Sequence, residues 1–319
     1  MNHKSNYFMG LDTSAYTTSL AIVDSDENLI CDRRIQLPVK EGELGLRQSS
    51  AVFEHLGNMP RLYPQGLEFC RGGSLKALAA STRPRPVSES YMPVFKVGES
   101  FGRFLAQAAG LIFLPSTHQE GHIMAGMWSV KLPPQDCLVI HLSGGTTELL
   151  LAKEVKPGHL EVKMAGESAD LNAGQFIDRT GQLMGLPFPA GPALESLAKN
   201  CSTEKICLPV AVKGSRISFS GPASHAERLL ERGSSREDIA RAVEECIALS
   251  LAGVIKNIEA DSGSFNTVLA VGGVTANLQI RKRLAEELSS LKVLFASPEL
   301  STDNAVGLAV QAARQHKHS

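Results

Sequence analysis

The stretch "YFMGLDTSAYTTSLAIVD" (residues 7–24) places two apolar runs on either side of a cluster of small polar residues. Each run has the length of a strand and the cluster has the composition of a turn, so the stretch predicts a β-hairpin. The same arrangement returns in "CLVIHLSGGTTELLLA" (residues 137–152), with Gly144 and Gly145 in the turn. A hairpin used twice indicates two related α/β lobes that face a shared cleft. The alternative is a pair of unrelated apolar hairpins.

A third stretch combines a strand, a glycine pair and a helix. In "TVLAVGGVTANLQIRKRLAEEL" (residues 267–288) an apolar run ends at two consecutive glycines. After them, Ile280, Leu284 and Leu288 recur at helical spacing. This periodicity predicts an amphipathic helix that opens directly after the glycine turn.

The end of the chain predicts how the lobes are divided. The strand pattern "VLFAS" (residues 293–297) is followed by a helix pattern over residues 304–315. We expect this terminal helix to return to the first lobe. The N-terminal lobe would then consist of residues 1–115 and 304–319, and the C-terminal lobe of residues 116–303.

The composition is that of an ordinary globular enzyme. The chain has 319 residues, of which 43% are hydrophobic and 20% are charged, and this excludes a disordered or fibrous protein. The formal net charge of -1 gives no global sign of a nucleic-acid partner. The six cysteines form no Cys-x-x-Cys pair, which favours a reduced protein. With no apolar leader and no run of membrane-spanning length, a cytoplasmic location is expected.

The segment "PSTHQEGHIMA" (residues 115–125) carries two histidines at the spacing of one helical turn. The run "LIFLP" that overlaps its start predicts a buried strand, and Ser116 with Gln119 has the spacing of a capping box. His118 and His122 then lie on one face of the helix, as two metal-ligating histidines must. The alternative is a surface pair that binds nothing.

The same segment excludes a zinc protease. Such an enzyme places its general-base Glu directly after the first His, where this chain has Gln119. Glu120 lies about 200° around the helix from His118, so it does not share the metal face. The best candidate for a third ligand is Asp303 in "STDNAV", for which a plain N-cap aspartate is the alternative.

The glycine-rich turns favour a ligand that carries phosphate, because backbone N–H groups in such turns bind anionic oxygens. The chain has neither a P-loop nor a G-x-G-x-x-G motif, which argues against both of those folds. Two hairpins and a Gly-Gly–helix element suit a nucleotide held between two lobes, as in the actin-like ATPase and sugar-kinase superfamily. Asp170, Asp178 and Gly191 are further candidates, and an ordinary polar helix with flanking turns is the alternative for that region.

Seven motifs in their order resemble one family. They read "HQEGH", "LSGGTTELL", "GESADLNAGQFIDR", "PAGPALESLA", "ISFSGPASH", "AVGGVTANLQIRKRL" and "STDNA". The chain resembles TsaD, the tRNA threonylcarbamoyladenosine synthase subunit that was formerly described as an O-sialoglycoprotein endopeptidase. The resemblance covers most of the chain. It implies an α/β fold of two RNase-H-like lobes of the actin-like ATPase and sugar-kinase superfamily, with a nucleotide cleft between them.

The resemblance also implies an activity and its partners. A protein of this family is an acyltransferase of the N6-L-threonylcarbamoyladenine synthase type. It moves a threonylcarbamoyl group from threonylcarbamoyl-adenylate to the adenosine next to the anticodon of tRNA. The implied partners are tRNA, the adenylate, and TsaB-like and TsaE-like protein subunits, with no membrane.

The resemblance implies two sets of ligand-binding residues. His118, His122 and Asp303 are implied as ligands of one divalent metal, iron or zinc. An adenine nucleotide or adenylate is the implied ligand of the second set. The implied nucleotide-binding residues are His141, Leu142, Ser143, Gly144, Gly145, Asp178, Gly191 and Asn277. No residue is assigned as a catalytic acid or base.

The chain departs from the family pattern at several charged positions. The replacements are Ala15, Tyr16 and Thr17 for an acidic hairpin tip, Thr146 for His, Gln175 for Glu, Pro222 and Ala223 for Leu-Lys, and Arg83 and Arg85 in place of a Gly-Pro-Gly loop. Lost carboxylates near a reaction remove candidate general bases. Three classes of function therefore remain open. They are a divergent transferase on tRNA, a non-catalytic paralogue that binds nucleotide and metal, and a carbamoyl or phosphoryl transferase acting on a small molecule.

Overall fold

The computed structural model describes residues 5–14, 16–38, 46–70, 73–133, 135–202, 206–263 and 265–317. The elements in chain order are β1 (Asn6–Thr13), β2 (Thr17–Asp24), β3 (Leu29–Gln36), α1 (Gln48–Glu68), β4 (Ser74–Ser81), α2 (Phe95–Ala109), β5 (Ile112–Ser116), α3 (His118–Ser129), β6 (Cys137–Leu142), β7 (Thr147–Lys156), β8 (His159–Ser168), α4 (Ala173–Leu183), α5 (Gly191–Ala198), β9 (Val212–Lys213), β10 (Arg216–Ile217), α6 (Ser220–Glu231), α7 (Arg236–Ser262), β11 (Thr267–Val271), α8 (Leu278–Glu287), β12 (Lys292–Phe295) and α9 (Val306–Lys317). Both predicted hairpins are present, as β1–β2 and β6–β7, and both are antiparallel.

The chain divides into two compact units. The first unit contains Met1–Gln135, Lys153–Val162 and Thr302–Ser319, and the second contains Asp136–Ala152 and Lys163–Ser301. The first unit thus continues past the expected boundary at residue 115. It does so because α3 packs along α9, which belongs to the same unit.

The sheet of the first unit has the strand order β3-β2-β1-β4-β5, with β1 at its centre. A central strand is covered on both faces, and β1 is accordingly buried over its last six residues. Met9 and Leu11 belong to a core that includes Met59 of α1 and Val97 of α2. Gly10 points the other way, against the start of α9. The sheet therefore lies between helices on both faces.

The second sheet has the order β12-β11-β6-β7-β8-β10-β9. In the second unit its strands pack on the long helix α7, whose apolar residues at helical spacing, among them Val243, Ile247 and Leu251, are fully buried. The strand β11, a short 3₁₀ turn (Gly273–Ala276) and α8 follow one another as the sequence predicts. The start of α8 therefore follows closely on the carboxyl end of β11.

Two expectations around the histidine segment are wrong. The run at β5 forms a strand, but that strand lies at the sheet edge and only its last residue, Ser116, is buried. The helix that follows is capped by Thr117 and Glu120, whose side chains and backbone N–H groups bond reciprocally. The Ser116 hydroxyl instead donates to the Gln311 Oε1 atom at 2.8 Å, because its side chain faces α9.

The helices α3 and α9 approach each other at backbone distance. A side-chain carbon built on Gly307 would overlap the carbonyl oxygen of Gly121 and would lie 2.6 Å from the Ala125 nitrogen. On the opposite helix, a carbon on Gly121 would lie 3.2 Å from Leu308. Only glycine at position 307 permits this packing, which sets the distance between the histidine helix and the chain that leads into α9.

None of the helices within the described residues is long and apolar enough to cross a membrane.

We predict that Gly307→Ala lowers the free energy of unfolding by about 1–3 kcal/mol, because the added methyl forces the two helices apart. Gly57→Ala is the matched control. Gly57 lies inside α1 with no atom within 4 Å of the added carbon, so this change is expected to be neutral or slightly stabilising. Thermal and urea unfolding of the two variants measure the difference, and equal stability would contradict the packing described.

Candidate functional site

Three side chains of the first unit bring ligand atoms together. His118 and His122 lie one turn apart on α3, and Asp303 lies in the loop before α9. The two Nε2 atoms are 3.2 Å apart, and each is 3.6 Å from the Asp303 Oδ1 atom. Among the described residues, no other three His, Cys, Asp or Glu side chains form such a group. The structure thus brings together the three residues that the sequence singled out.

The donor geometry fits a divalent ion. Two ligands at about 2.0–2.1 Å from a tetrahedrally coordinated ion lie about 3.3 Å from each other. The observed separations of 3.2 and 3.6 Å are close to that value. Two imidazoles and one carboxylate suit zinc or iron and leave a coordination position open. Asp303 is not the helix cap, because Asn304 Oδ1 accepts the hydrogen bond from the Val306 N–H.

Asp12, at the end of β1, orients the first histidine. Its Oδ1 atom lies 3.1 Å from His118 Nδ1 and also accepts a hydrogen bond from the Ser81 hydroxyl. A proton on Nδ1 that is donated to Asp12 leaves the Nε2 lone pair for an ion, which is the usual role of a carboxylate behind a ligating histidine. Close by, the Ser14 N–H donates to Asp12.

The negative charges of the two carboxylates in this group favour a bound cation. Burial by itself lowers the pKa of His118, but Asp12 and Asp303 outweigh it and raise the pKa to about 9. Burial by itself raises the pKa of Asp303, but hydrogen bonding to His122 and the charge of His118 hold the pKa below its usual range. Two ionised carboxylates therefore face two imidazoles, and either a proton or a metal ion balances them.

The loop that carries Arg83 and Arg85 supports the start of α3. The carbonyl oxygens of Arg83 and Pro84 accept hydrogen bonds of 3.0 Å from the backbone N–H groups of His118 and Gln119. These donors have no partner within the helix itself. The loop therefore holds the first histidine in place through its backbone, while both arginine side chains remain exposed.

The second unit contains a cavity of about 380 Å³. This volume lies within the range of small-molecule sites, about 300–1,000 Å³. The predicted residues that line it are Ser143, Gly144, Asp178, Gly191 and Asn277. They come from the β6–β7 turn, from α4, from the start of α5 and from the residue before α8. His141 and Leu142 lie in β6 and Gly145 in the turn after it, and none of the three is part of the lining.

At three positions of the cavity lining, neither a positive φ nor close packing requires glycine. Gly144, Gly191 and Gly273 do not have positive φ. A side-chain carbon built on any of them would meet no protein atom within 4 Å. What glycine supplies at these positions is room for a ligand to approach the backbone closely. By contrast, Gly272 has φ of 98° and presses against Leu142, so it serves the turn itself.

The polar groups of the cavity are held in place by backbone hydrogen bonds. Asp178 Oδ1 accepts from the Ala190 N–H at 2.7 Å. Glu195, on α5, lines the cavity and accepts from the Leu278 N–H at 2.8 Å. Sequence reasoning missed Glu195, although it lies one helical turn after Gly191 and therefore on the same face of α5. Asp170 is outside the lining and accepts hydrogen bonds from Ser218 and Phe219 instead.

The positions that depart from the family pattern have structural roles that can be stated. Gln175 closes the capping box of α4 by accepting from the Asn172 N–H at 3.0 Å. Pro222 and Ala223 are buried in α6. Tyr16 is exposed at the end of the first hairpin, and Ala15 lies outside the described residues. Gln175 thus serves as the capping residue of α4, a role that an amide fills as well as a carboxylate.

Comparison with known proteins places the chain in a family. The family model for TsaD, tRNA N6-adenosine threonylcarbamoyltransferase, matches residues 91–310. A tRNA N6-adenosine threonylcarbamoyltransferase of Thermus thermophilus is 31% identical over 316 residues, which are 98% of this chain and 93% of that protein.

Solved structures with low sequence identity share the fold. Component A of (R)-2-hydroxyglutaryl-CoA dehydratase from Acidaminococcus fermentans matches with a TM-score of 0.58 at 14% identity, over 98% of this chain and 100% of that one. A ROK family glucokinase from Streptomyces griseus, solved with glucose and AMPPNP, matches with a TM-score of 0.54 at 11% identity, over 96% and 99%. These likenesses confirm the predicted α/β fold, which the chain shares with these proteins.

Proposed function

The chain belongs to the TsaD family, and we propose that it is a tRNA N6-adenosine threonylcarbamoyltransferase. It would transfer a threonylcarbamoyl group from threonylcarbamoyl-adenylate to the adenosine next to the anticodon of tRNA. The observation that carries the proposal is the match to a relative of this name over nearly the whole chain. The donor group and the cavity support it, because the reaction needs a bound adenylate and a polarised carbonyl. A tRNA substrate is also consistent with the cytoplasmic location expected from the sequence.

His118, His122 and Asp303 would hold one divalent ion, iron or zinc. When bound, such an ion supplies a Lewis acid that orients and polarises the substrate group. Asp12 keeps the proton of His118 on Nδ1 and so keeps Nε2 available. The reciprocal cap of Thr117 and Glu120 occupies the nearby carboxylate, which therefore is not a base for peptide hydrolysis.

The cavity of the second unit would hold the adenylate. The backbone N–H group of Gly144 suits the phosphate, since turns of this kind bind anions without a charged side chain. The carboxylates of Asp178 and Glu195 are acceptors for the ribose hydroxyls. Gly191, with open space beside its backbone, allows the nucleoside to lie close to α5.

In the transfer itself, the adenosine N6 nitrogen attacks the carbamoyl carbonyl. A C–N bond forms, the C–O bond to the phosphate breaks, AMP leaves with the bonding electron pair, and N6 gives up one proton to solvent. Holding the adenylate in the cavity would lower the entropic cost of this step. Neither of the other two functional classes is favoured by a specific structural observation.

Exposed apolar side chains support a protein partner, and we include TsaB-like and TsaE-like subunits in the proposal. On the helices of the first unit, the large apolar side chains with the greatest exposure are Phe53 on α1, at 76%, and Phe104 on α2, at 69%. Exposed aromatic residues are enriched at protein–protein interfaces.

The activity is tested by supplying the purified protein with tRNA, threonylcarbamoyl-adenylate and candidate partner subunits. Mass spectrometry of the digested nucleosides is expected to show threonylcarbamoyladenosine. If tRNA stays unmodified while AMP is released with a small-molecule acceptor, the substrate assignment is wrong. If neither reaction occurs with all partners present, the chain is a non-catalytic paralogue.

We predict that His122→Ala removes the bound metal while the fold persists, because two remaining ligands do not hold the ion and α3 keeps its cap. Asp12→Asn is expected to weaken metal affinity by about 10–100-fold through the orientation of His118. His159→Ala, an exposed histidine at the start of β8, is the matched control and is expected to bind like wild type. Elemental analysis and circular dichroism provide the measurement. Equally little metal in wild type and His122→Ala, after exposure to iron and zinc, would make the histidine pair structural.

A further inference from the structure

A buried carboxylate lies behind the cavity wall and has no place in the reaction described above. Glu244 is on α7, and its side chain is completely buried. Its Oε1 atom accepts a hydrogen bond of 2.7 Å from Asn277 Nδ2, and its Oε2 atom accepts one of 2.8 Å from Arg241. Arg241 is itself held by the carbonyl oxygen of Ala198 at 3.1 Å. A side chain in this position acts on a ligand only through another residue.

That other residue is Asn277, which lines the cavity and is the N-cap of α8. Its Oδ1 atom accepts a hydrogen bond of 2.8 Å from the Ile280 N–H. Its Nδ2 atom gives one hydrogen to Glu244. A flipped amide would place a donor against the Ile280 N–H and an acceptor against a carboxylate, so the amide has one orientation. The second hydrogen on Nδ2 is what remains for a ligand.

The surroundings of Glu244 make its protonation state change near neutral pH. Burial is the largest influence and raises the pKa of Glu244 to about 7, against the hydrogen bond from Asn277 and the charge of Arg241. The carboxylates of Glu195 and Glu245 act in the same direction as burial. Because the pKa in the folded state is raised, the contribution of this group to stability is lost as pH rises toward 7. Its hydrogen bonds to Asn277 and Arg241, however, are strongest when it is ionised.

We propose that Glu244 is a positioning residue that fixes Asn277 as a hydrogen-bond donor, so that the bound nucleotide must present an acceptor atom at this point of the cavity. The inference rests on the proposed nucleotide site. Asn277 is then the hydrogen-bond donor to the ligand. Glu244, which the ligand does not touch, fixes Asn277 in that role.

The test compares AMP binding to wild type, Glu244→Gln and Glu245→Gln by calorimetry at pH 8 and pH 6. The amide of Glu244→Gln brings a donor against either Asn277 or Arg241, so AMP is expected to bind about tenfold more weakly at pH 8. At pH 6 wild-type Glu244 is largely protonated and resembles the amide, so the ratio of the two affinities is expected to fall toward one. The titration of AMP itself is common to both proteins and cancels in this ratio.

Glu245→Gln is the matched control, because Glu245 is the next residue on α7 but pairs with Gln279 and Arg283 instead. It is expected to bind AMP like wild type at pH 8, where Glu244 is largely ionised in both proteins. A loss in Glu244→Gln that is equal at pH 8 and pH 6 would indicate a merely structural role and overturn the proposal. Should this variant not fold, Glu244→Asp withdraws the carboxylate by one methylene and is expected to show a similar loss at pH 8.

The outcomes separate this inference from the function on which it rests. If wild type binds AMP and Glu244→Gln binds it equally well at pH 8, the positioning role is wrong and the nucleotide site stands. If wild type binds no AMP at either pH, the nucleotide site is wrong and the inference falls with it.

Discussion

The contact between α3 and α9 at Gly121 and Gly307 is the constraint on which the chemistry of the first unit depends. No side chain fits between the two backbones at Gly307. The helices therefore run closer together than ordinary side chains permit, which for packed helices is about 8–10 Å between axes. This approach brings Asp303, just before α9, to the two histidines at the start of α3. A side chain at either glycine would move Asp303 away from the two histidines. The spacing between the histidines would change less, because both lie on α3.

Both candidate sites are built in the same way, from ligand-facing groups that are held by a second hydrogen bond. His118 is oriented by Asp12, Asp178 by the Ala190 N–H, and Asn277 by Glu244. Such support matters because a ligand gains affinity only when the groups that meet it are already in place. The residues replaced at the hairpin tip and in α4 are not among these supporting groups.

Sequence reasoning predicted the parts that depend on local spacing. The repeated hairpin, the helical spacing of His118 and His122, and the strand–glycine–helix element are all local patterns, and the structure contains each of them. Asp303 could be proposed only as a candidate, because nothing local separates a ligand from an N-cap. The capping box was displaced by one residue, to Thr117 and Glu120, since two overlapping patterns compete there. Asp12 and Glu244 were missed because their roles arise from contacts with residues far away in the chain.

X-ray absorption at the zinc edge of the zinc-loaded protein tests whether His118, His122 and Asp303 form a metal centre. We expect a shell of nitrogen and oxygen atoms at about 2.0–2.1 Å with the scattering of two imidazoles. His122→Ala, which is expected to lose the ion, should not show this shell. A sulfur shell at about 2.3 Å, which would indicate that cysteine thiolates bind the ion, or a spectrum that His122→Ala leaves unchanged, would contradict it.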